Sequence, residues 1–321
     1  MDRVLVTTRI PAVVLARLRE ACAVDYADSS GHLSRAEFLA RLRGSHGVLT
    51  VLQNRLDAEA FDVGLPTLRV AANIAVGYDN VDVAAARERG IVVTNTPDVL
   101  TDAVADFTIG LLLSLTRRIV EGDRLIRARG WQGWALDFML GGELRGRTLG
   151  IVGFGRIGRA TAERARAFGM RIVATCSPPG EDAPPPPDVA CLPLDRVLAE
   201  ADVVSLHVPV TTATRHLIGA RELAMMKPTA VLVNTARGPV VDEAALAEAL
   251  AAGRIAGAAL DVFEREPQVH EGLLALENVV LAPHLGSSSV ETRTAMADLA
   301  ARNVIAVLRG EAPLTPIAGS R

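Results

Sequence analysis

The chain has 321 residues, well above the roughly 150 typical of one domain, and this length predicts two domains. Half of the residues are apolar and the formal net charge is −3, which excludes a mainly disordered chain and argues against nucleic acid or a membrane as the main partner. Three widely separated cysteines (Cys22, Cys176 and Cys191) without a CxxC pair predict neither a disulfide framework nor a zinc site, and therefore a reducing, cytoplasmic location.

Short apolar runs rich in β-branched residues alternate with longer amphipathic segments along the chain. Because the apolar content of these runs is nearly continuous, we expect parallel strands buried on both faces. The predicted strands are residues 4–8, 47–52, 68–76, 91–96, 149–153, 171–175, 203–207, 230–235, 256–262 and 279–282. The predicted helices are residues 12–21, 34–43, 81–89, 157–168 and 242–252. Repeated βαβ units of this kind predict an α/β fold with doubly wound parallel sheets.

The strands fall into two series, one within residues 1–97 and one that begins near Leu149. Long helical patterns over residues 98–129 and 288–309 flank the second series, and a loop over residues 130–147 follows the first of them. We therefore predict two Rossmann-like domains. Residues 98–287 are inserted into a discontinuous, flavodoxin-like domain made of residues 1–97 and 288–321. Four consecutive prolines within residues 180–188 predict an exposed loop.

A glycine-rich loop occurs where the second series begins. Residues 149–158 read LGIVGFGRIG, which places G-x-G-x-x-G between a predicted strand and a predicted helix. Gly153 permits the tight turn, Gly155 lets the backbone approach a pyrophosphate, and Gly158 allows close packing of helix on strand. The N–H groups at the start of the helix attract the anion. The inserted domain is therefore predicted to bind a nicotinamide dinucleotide.

The end of the next strand leaves the choice between NADP and NAD open. A carboxylate at this place would bind the ribose hydroxyls of NAD and repel the 2′-phosphate of NADP. The chain instead has Cys176 and Ser177, with no carboxylate before Glu181 and no arginine to attract a phosphate. Ser177 can hydrogen-bond to either cofactor. The sequence favours NADP slightly and is compatible with the use of both.

Polar residues interrupt three apolar strand ends late in the chain. Arg237, Glu266 and His284 follow predicted strands, and ligands of open α/β sheets bind at the carboxyl ends of strands. An arginine can bind a carboxylate with two hydrogen bonds, and a histidine can exchange a proton near neutral pH. A glutamate beside the histidine orients the imidazole and stabilises its charge. No cluster with metal-ligand spacing occurs, so no metal is predicted.

The motifs GFGRIG, NTARG followed by VVDE, DVFEREP and APHLGS occur in one order along the chain. In these motifs, over essentially its whole length, the sequence resembles the D-isomer-specific 2-hydroxyacid dehydrogenases. The segments AVGYDNVD (75–82), VVTNTP (92–97) and WQGW (131–134) most resemble the glyoxylate and hydroxypyruvate reductases of that family. The resemblance implies hydride transfer from NAD(P)H to a small 2-oxo acid, with Arg237, Glu266 and His284 as the catalytic residues.

The resemblance also implies two sets of binding residues. The cofactor contacts are Thr101, Gly153, Phe154, Gly155, Arg156, Ile157, Gly158, Cys176, Ser177, His207, Pro209, Thr214, Thr235, Ala236, Asp261 and Gly286. The substrate contacts are Leu52, Val76, Gly77 and Trp134, together with Arg237 and His284. Two alternatives stay open: a dehydrogenase of the same family for another substrate such as phosphoglycerate, and an NAD(P)-sensing binding protein like the corepressors of this fold.

The long helix predicted over residues 98–129 is apolar nearly all round, which predicts an exposed apolar patch in a single copy. Its apolar residues are Val99, Leu100, Val104, Phe107, Ile109, Leu111, Leu112, Leu113 and Leu115. The loop after it adds Trp131, Trp134, Phe138, Met139 and Leu140, residue types that are enriched at interfaces. We therefore predict a homodimer, in which the resemblance places Trp134 at the partner's substrate pocket.

Overall fold

A computed structural model describes residues 1–28, 33–176 and 184–319. The chain divides into two compact units, one made of Met1–Leu100 with Ser288–Arg321 and the other of Thr101–Ser287. For comparison, the boundaries expected from the sequence lie after residues 97 and 287. In both units, the strands of the sheet are parallel, which confirms the predicted α/β class.

Within the described residues, the strands are β1 (Arg3–Val6), β2 (Ala23–Tyr26), β3 (Gly47–Thr50), β4 (Val70–Asn73), β5 (Val92–Thr94), β6 (Thr148–Val152), β7 (Arg171–Thr175), β8 (Ala190–Cys191), β9 (Val203–Leu206), β10 (Val231–Asn234), β11 (Gly257–Leu260) and β12 (Val279–Leu281). The helices are α1 (Ala12–Ala21), α2 (Arg35–Leu42), α3 (Ala58–Gly64), α4 (Val83–Glu88), α5 (Thr101–Thr116), α6 (Ile119–Arg127), α7 (Arg156–Ala167), α8 (Leu194–Glu200), α9 (Ala220–Met225), α10 (Glu243–Ala251), α11 (Glu271–Leu274) and α12 (Val290–Leu308). A short 3₁₀ turn (Gly238–Val240) follows β10. None of the helices in these ranges is both long and apolar enough to cross a membrane.

The first unit is a parallel sheet in the order β2-β1-β3-β4-β5. α12 packs against β3 and β4, and this contact explains why the C-terminal helix belongs to this unit despite its distance in sequence. The tail after α12 returns to the sheet edge, where Ile317 N–H donates to the carbonyl of Val93 at 2.9 Å and Thr315 Oγ1 donates to that of Asn95 at 2.7 Å. The unit is therefore built from both ends of the chain.

The second unit is a parallel sheet in the order β12-β11-β10-β9-β6-β7-β8. β6, an inner strand between β9 and β7, is buried along its whole length, as expected for a strand covered on both faces. β10, β11 and β12 are direct neighbours, with Asn234 opposite Leu260 and Leu260 opposite Leu281. The segments that follow these three strands therefore start side by side at the same edge of the sheet.

The prediction of a single long helix over residues 98–129 is wrong, because α5 and α6 are separate helices. Between them, Arg118 has a φ of 55°, in the left-handed region, which ends the helical path. α5 packs against α7 and against strands of its sheet, so Leu111 and Leu112 are buried in the core of the second unit. The prediction of an exposed apolar patch is therefore wrong for α5. Exposed apolar side chains lie instead on α6 and in residues 131–140.

The expectation that the cysteines form no disulfide is also wrong, because Cys176 and Cys191 are bonded to each other. β7 and β8 pair with Ala174 opposite Cys191, and Cys176 follows β7 directly. This register brings together two cysteines that are 15 residues apart in sequence. Cys22 is a buried thiol.

Several short elements were not predicted: β2, β8, α3, α8, α9 and α11. The longest of them, α3 and α8, have only 7 residues each, which is too short for the periodic patterns that sequence analysis detects best. β2 and β8 also lie at sheet edges, where burial is incomplete. Of the proline-rich segment, residues 180–183 lie outside the described residues. Residues 184–188 form neither helix nor strand and are largely exposed, in line with the predicted loop.

Candidate active site

Arg237, Glu266 and His284 each follow one of three neighbouring strands in the second unit. Arg237 lies three residues after β10, Glu266 lies in the loop after β11, and His284 lies three residues after β12. Because β10, β11 and β12 are parallel, their carboxyl ends share one edge of the sheet. The edge presents a cation, a carboxylate and an imidazole together.

His284 and Glu266 are in direct contact. The imidazole Nδ1 lies 2.9 Å from Glu266 Oε2, and both side chains are about one third exposed. Glu266 Oε1 accepts the N–H of Phe263 at 3.1 Å. An ionised carboxylate only accepts hydrogen bonds, so Nδ1 carries a proton and Nε2 is the ring nitrogen that can face a substrate.

The ionisation of Glu266 reflects two opposing causes. Burial raises the pKa of this carboxyl, but the hydrogen bond and charge of His284 lower it, with help from the Phe263 N–H and the charge of Arg237. The net pKa of Glu266 lies below its ordinary value. Glu266 is therefore a carboxylate at neutral pH, as needed to stabilise a protonated imidazole.

Asp261 holds the backbone on which His284 sits. Its carboxylate is buried and accepts the N–H groups of Leu285 at 2.6 Å and Gly286 at 2.7 Å, while its main-chain carbonyl accepts the N–H of His284. His284 has a φ of 56°, an uncommon left-handed conformation for a residue with a side chain. Burial raises the pKa of Asp261, and the two N–H groups oppose that rise. Asp261 and Gly286, both predicted cofactor contacts, are thus joined by a hydrogen bond.

Asn234 holds the turn that carries Arg237. Its buried amide donates to the carbonyl of Arg237 at 3.0 Å and accepts the N–H of Ala236 at 3.1 Å. Arg237 itself is half-buried, and its Nη1 donates to the carbonyl of Ala236 at 2.8 Å. Asn234 is not among the site residues predicted from the sequence. An available signal was its place as the polar last residue of an otherwise apolar, buried strand.

Thr235, a predicted cofactor contact, is tied to α5. Its hydroxyl lies 2.8 Å from that of Thr108, which in turn lies 2.7 Å from the carbonyl of Val104. Since a carbonyl can only accept, Thr108 donates its one proton to Val104 and Thr235 donates to Thr108. The hydroxyl oxygen of Thr235 can therefore accept a hydrogen bond from a bound molecule but cannot donate one to it.

The glycine-rich loop has the geometry that a dinucleotide requires. Gly153 has a φ of 95°, and a Cβ there would lie 2.8 Å from the carbonyl oxygen of His207. A Cβ on Gly158 would lie 2.3 Å from the carbonyl of Gly153, so both positions exclude a side chain. Gly155 caps α7 without a side-chain hydrogen bond, and open space lies beside its α-carbon. The first-turn N–H groups of α7 can therefore receive a pyrophosphate, and these residues fit the cofactor.

The other loop residues support the turn. Phe154 is buried, and the guanidinium of Arg159 lies over its ring at 4.7 Å from the centroid. Ile157 is half-buried, whereas Arg156 is exposed at the first position of α7. Thr101 is the first residue of α5.

The predicted ribose and adenosine contacts have mixed outcomes. The sulfur of Cys176 is committed to its disulfide with Cys191, and Ser177 lies outside the described residues. His207 follows β9, and its Nε2 lies 2.9 Å from the buried hydroxyl of Ser205. Burial lowers the pKa of His207 to about 4, so its imidazole is neutral at physiological pH. The predicted contacts Pro209 and Thr214 are bonded to each other, since Thr214 Oγ1 donates to the carbonyl of Pro209 at 2.6 Å.

The predicted substrate contacts Leu52, Val76 and Gly77 lie in the first unit. Asn73 donates to the carbonyl of Gly77 at 2.9 Å, and Asn95 donates to that of Val76 at 2.8 Å. These bonds fix the turn after β4, while the substrate roles stay predictions. Trp134 belongs to the second unit and is 79% exposed. No group of three or more histidine, cysteine or acidic side chains in the described ranges could hold a metal ion.

Known proteins resemble this chain over nearly its full length. Residues 109–286 match the family model described as D-isomer specific 2-hydroxyacid dehydrogenase, NAD binding domain. The chain is 47% identical over 317 residues to the glyoxylate reductase of Thermococcus onnurineus, which covers 98% of this chain and 95% of that protein. It is 49% identical over 313 residues to the glyoxylate reductase of Korarchaeum cryptofilum, which covers 97% and 94%.

Solved structures also resemble this chain over nearly its full length. The NADPH-dependent glyoxylate/hydroxypyruvate reductase of Sinorhizobium meliloti, in complex with NADP and malonate, matches with a TM-score of 0.87 at 40% identity, and covers 99% of this chain and 97% of that one. A protein of Thermus thermophilus matches with a TM-score of 0.92 at 46% identity, and covers 98% of this chain and 100% of that one.

Proposed function

The chain belongs to the D-isomer-specific 2-hydroxyacid dehydrogenase family, and from that premise we propose that it reduces glyoxylate to glycolate and hydroxypyruvate to its D-2-hydroxy acid. It is an NAD(P)-dependent oxidoreductase that acts on 2-oxo acids. The Sinorhizobium meliloti reductase was solved with NADP and the small carboxylate malonate, which supports both the cofactor and the size of the substrate. The observation that carries the proposal is the 2.9 Å contact between His284 and Glu266, whose carboxylate also feels the charge of Arg237.

In the proposed mechanism, each of the three side chains has one task. Arg237 binds the carboxylate of the 2-oxo acid, because a guanidinium offers two parallel N–H groups to a carboxylate. Protonated His284 donates from Nε2 to the substrate oxygen, and Glu266 keeps the imidazole oriented and charged until that transfer. NAD(P)H, when bound against the glycine-rich loop, supplies the hydride.

Turnover with NADPH and glyoxylate, followed by the loss of nicotinamide absorbance, tests the proposal. We expect steady-state reduction, and we expect His284→Ala to lower kcat at least about 100-fold while NADPH affinity stays near that of the wild type. NADPH binding without turnover of any small 2-oxo acid would refute the reductase and favour a cofactor-sensing binding protein. Oxidation of phosphoglycerate by NAD(P)⁺, without reduction of any small 2-oxo acid by NADPH, would favour a different dehydrogenase of the family.

For the cofactor, we propose use of both NADPH and NADH with a preference for NADPH. No carboxylate follows β7 directly, so nothing at Cys176 repels a 2′-phosphate. The ratio of kcat/KM for the two cofactors measures the preference, and a ratio that favours NADH would contradict it.

For assembly, we propose a homodimer in which α6 and residues 131–140 meet their equivalents in a second copy. α6 has no buried residue, and Ile119 and Ile126 are 54% and 55% exposed. Trp134 is 79% exposed and Leu136 is 82% exposed, and soluble proteins usually bury clustered apolar side chains of this kind against a partner. A twofold pair buries the same surface on both copies. The contact of Trp134 with the partner's substrate stays a prediction.

Light scattering measures this assembly directly. We expect a mass of twice the 33.9 kDa of one chain, and we expect Ile126→Asp to return it to that of a single chain. Arg124→Asp, an exposed position on the same helix, is the matched control and should leave the mass unchanged. A single-chain mass for the wild type at micromolar concentration would refute the dimer.

A cytoplasmic location is also proposed, because a reductase of this kind needs a supply of reduced nicotinamide cofactor. The Cys176–Cys191 disulfide differs from the reduced cysteines that the sequence predicts, because a reducing compartment disfavours such a bond. Fractionation of cells that express the protein would decide the location.

A further inference from the structure

Glu243, the glutamate of the VVDE motif, is a buried carboxylate at the start of α10. Its two oxygens accept two main-chain N–H groups. Oε1 accepts a short hydrogen bond from Glu264, and Oε2 accepts one from His270 at 3.1 Å. Both donors belong to the loop after β11. One side chain thus anchors this loop at two points.

The anchored segment, residues 264–270, contains Glu266. Within it, the N–H of Gln268 donates to the carbonyl of Arg265 at 2.9 Å, so the segment is a closed turn fixed at both ends. Glu266 projects from this turn to His284 at 2.9 Å. The distance between the two side chains therefore depends on where Glu243 holds the turn.

The same turn also contacts the backbone next to Arg237. A Cβ on Gly238 would lie 1.9 Å from the carbonyl carbon of Phe263 and 2.4 Å from the N of Glu264. The 3₁₀ turn after β10 therefore packs directly on the loop that Glu243 anchors. Movement of that loop would displace Glu266.

The start of α10 does not need Glu243 as a cap. Asp242 already fills that role, because its Oδ1 accepts the N–H of Ala245 at 3.0 Å. Glu248, on the same helix, is exposed to solvent, in contrast to the buried Glu243. The burial of Glu243 and its two long-range bonds serve the loop after β11 instead.

Building on the proposed reductase function, we propose that Glu243 is a positioning residue that holds Glu266 against His284. A carboxylate is required because both of its oxygens must accept. Glutamine at this position would turn one acceptor into an NH₂ group that faces a main-chain N–H. Aspartate would keep the charge but is one methylene too short to reach both donors.

The test compares Glu243→Gln and Glu243→Asp with Glu248→Gln, which removes the same charge from the exposed face of α10. Hydrogen exchange of the peptide that covers residues 264–270, measured without substrate, reports the anchor itself. Steady-state kinetics with NADPH and glyoxylate report its consequence. We expect faster exchange in both Glu243 variants, and a kcat lowered at least about tenfold with KM for glyoxylate within about twofold, because an altered position of a catalytic group affects the chemical step most.

The two readouts separate this inference from the proposed function. Failure of the wild type to reduce any 2-oxo acid would refute the function, whereas the exchange measurement would still show whether Glu243 anchors the turn. Wild-type exchange in both Glu243 variants would overturn the positioning role. So would a kcat equal to that of Glu248→Gln in both variants, or a loss confined to KM.

Discussion

Replacement of Glu266 by glutamine isolates the charge of the His284–Glu266 pair. The substitution keeps the shape of the side chain but leaves one acceptor oxygen for two donors, the Phe263 N–H at 3.1 Å and the imidazole Nδ1 at 2.9 Å. If the amide oxygen stays with Phe263, its NH₂ group faces Nδ1 and opposes a protonated ring. If it turns to Nδ1, the NH₂ group faces the N–H of Phe263.

Either arrangement loses a hydrogen bond to a charged group, which contributes about 1.5–3 kcal/mol. At about 1.4 kcal/mol for each factor of ten, kcat for glyoxylate reduction should fall roughly 10- to 150-fold. KM for glyoxylate should change little, because Arg237 is untouched. Steady-state rates at saturating NADPH, with the affinity for NADPH measured separately, give both values.

Glu264→Gln is the matched control. Glu264 lies two residues away on the same loop, and its Oε1 pairs with His216 at 2.8 Å rather than with His284. We expect its kcat within about twofold of the wild type, since exposed pairs contribute little. A Glu266→Gln enzyme with wild-type kcat, or an equal loss in Glu264→Gln, would refute the role assigned to the pair.

Three further outcomes are expected. Arg237→Lys should lower kcat/KM for glyoxylate at least about 100-fold, because a lysine offers a point charge instead of two parallel N–H groups; full retention would exclude the bidentate role. Cys176→Asp should raise the NADH-to-NADPH ratio of kcat/KM at least about tenfold over Cys176→Ser, which breaks the same disulfide without adding charge; equal ratios would show that this position does not contact the ribose. Folding lowers the pKa of His207 from 6.5 to about 4, so between these pH values the unfolded chain binds a proton that the folded chain does not. The free energy of unfolding should therefore decline by up to about 3 kcal/mol as the pH falls from 6.5 to 4. Denaturant titrations should show a shallower decline with pH in His207→Gln than in the wild type. An equal decline in both proteins would contradict the lowered pKa of His207.

Local sequence determined the features that depend on neighbouring residues. α1 begins and ends at the predicted residues, and the strand–turn–helix around Gly153 and Gly158 follows from positions where a Cβ would clash. The positions of Arg237 and His284 after buried strands also followed from the sequence, because an apolar run that ends in a polar residue marks the carboxyl end of a strand.

Tertiary structure decided the features that depend on residues distant in sequence. The disulfide between Cys176 and Cys191 follows from the pairing of β7 with β8, and the left-handed Arg118 separates α6 from α5, which packs against α7. Glu243 bonds to main-chain groups more than twenty residues away, at Glu264 and His270. Such contacts leave no periodic pattern along the chain, because a side chain that accepts from distant N–H groups is chosen by the geometry of the packed loops and not by its sequence neighbours.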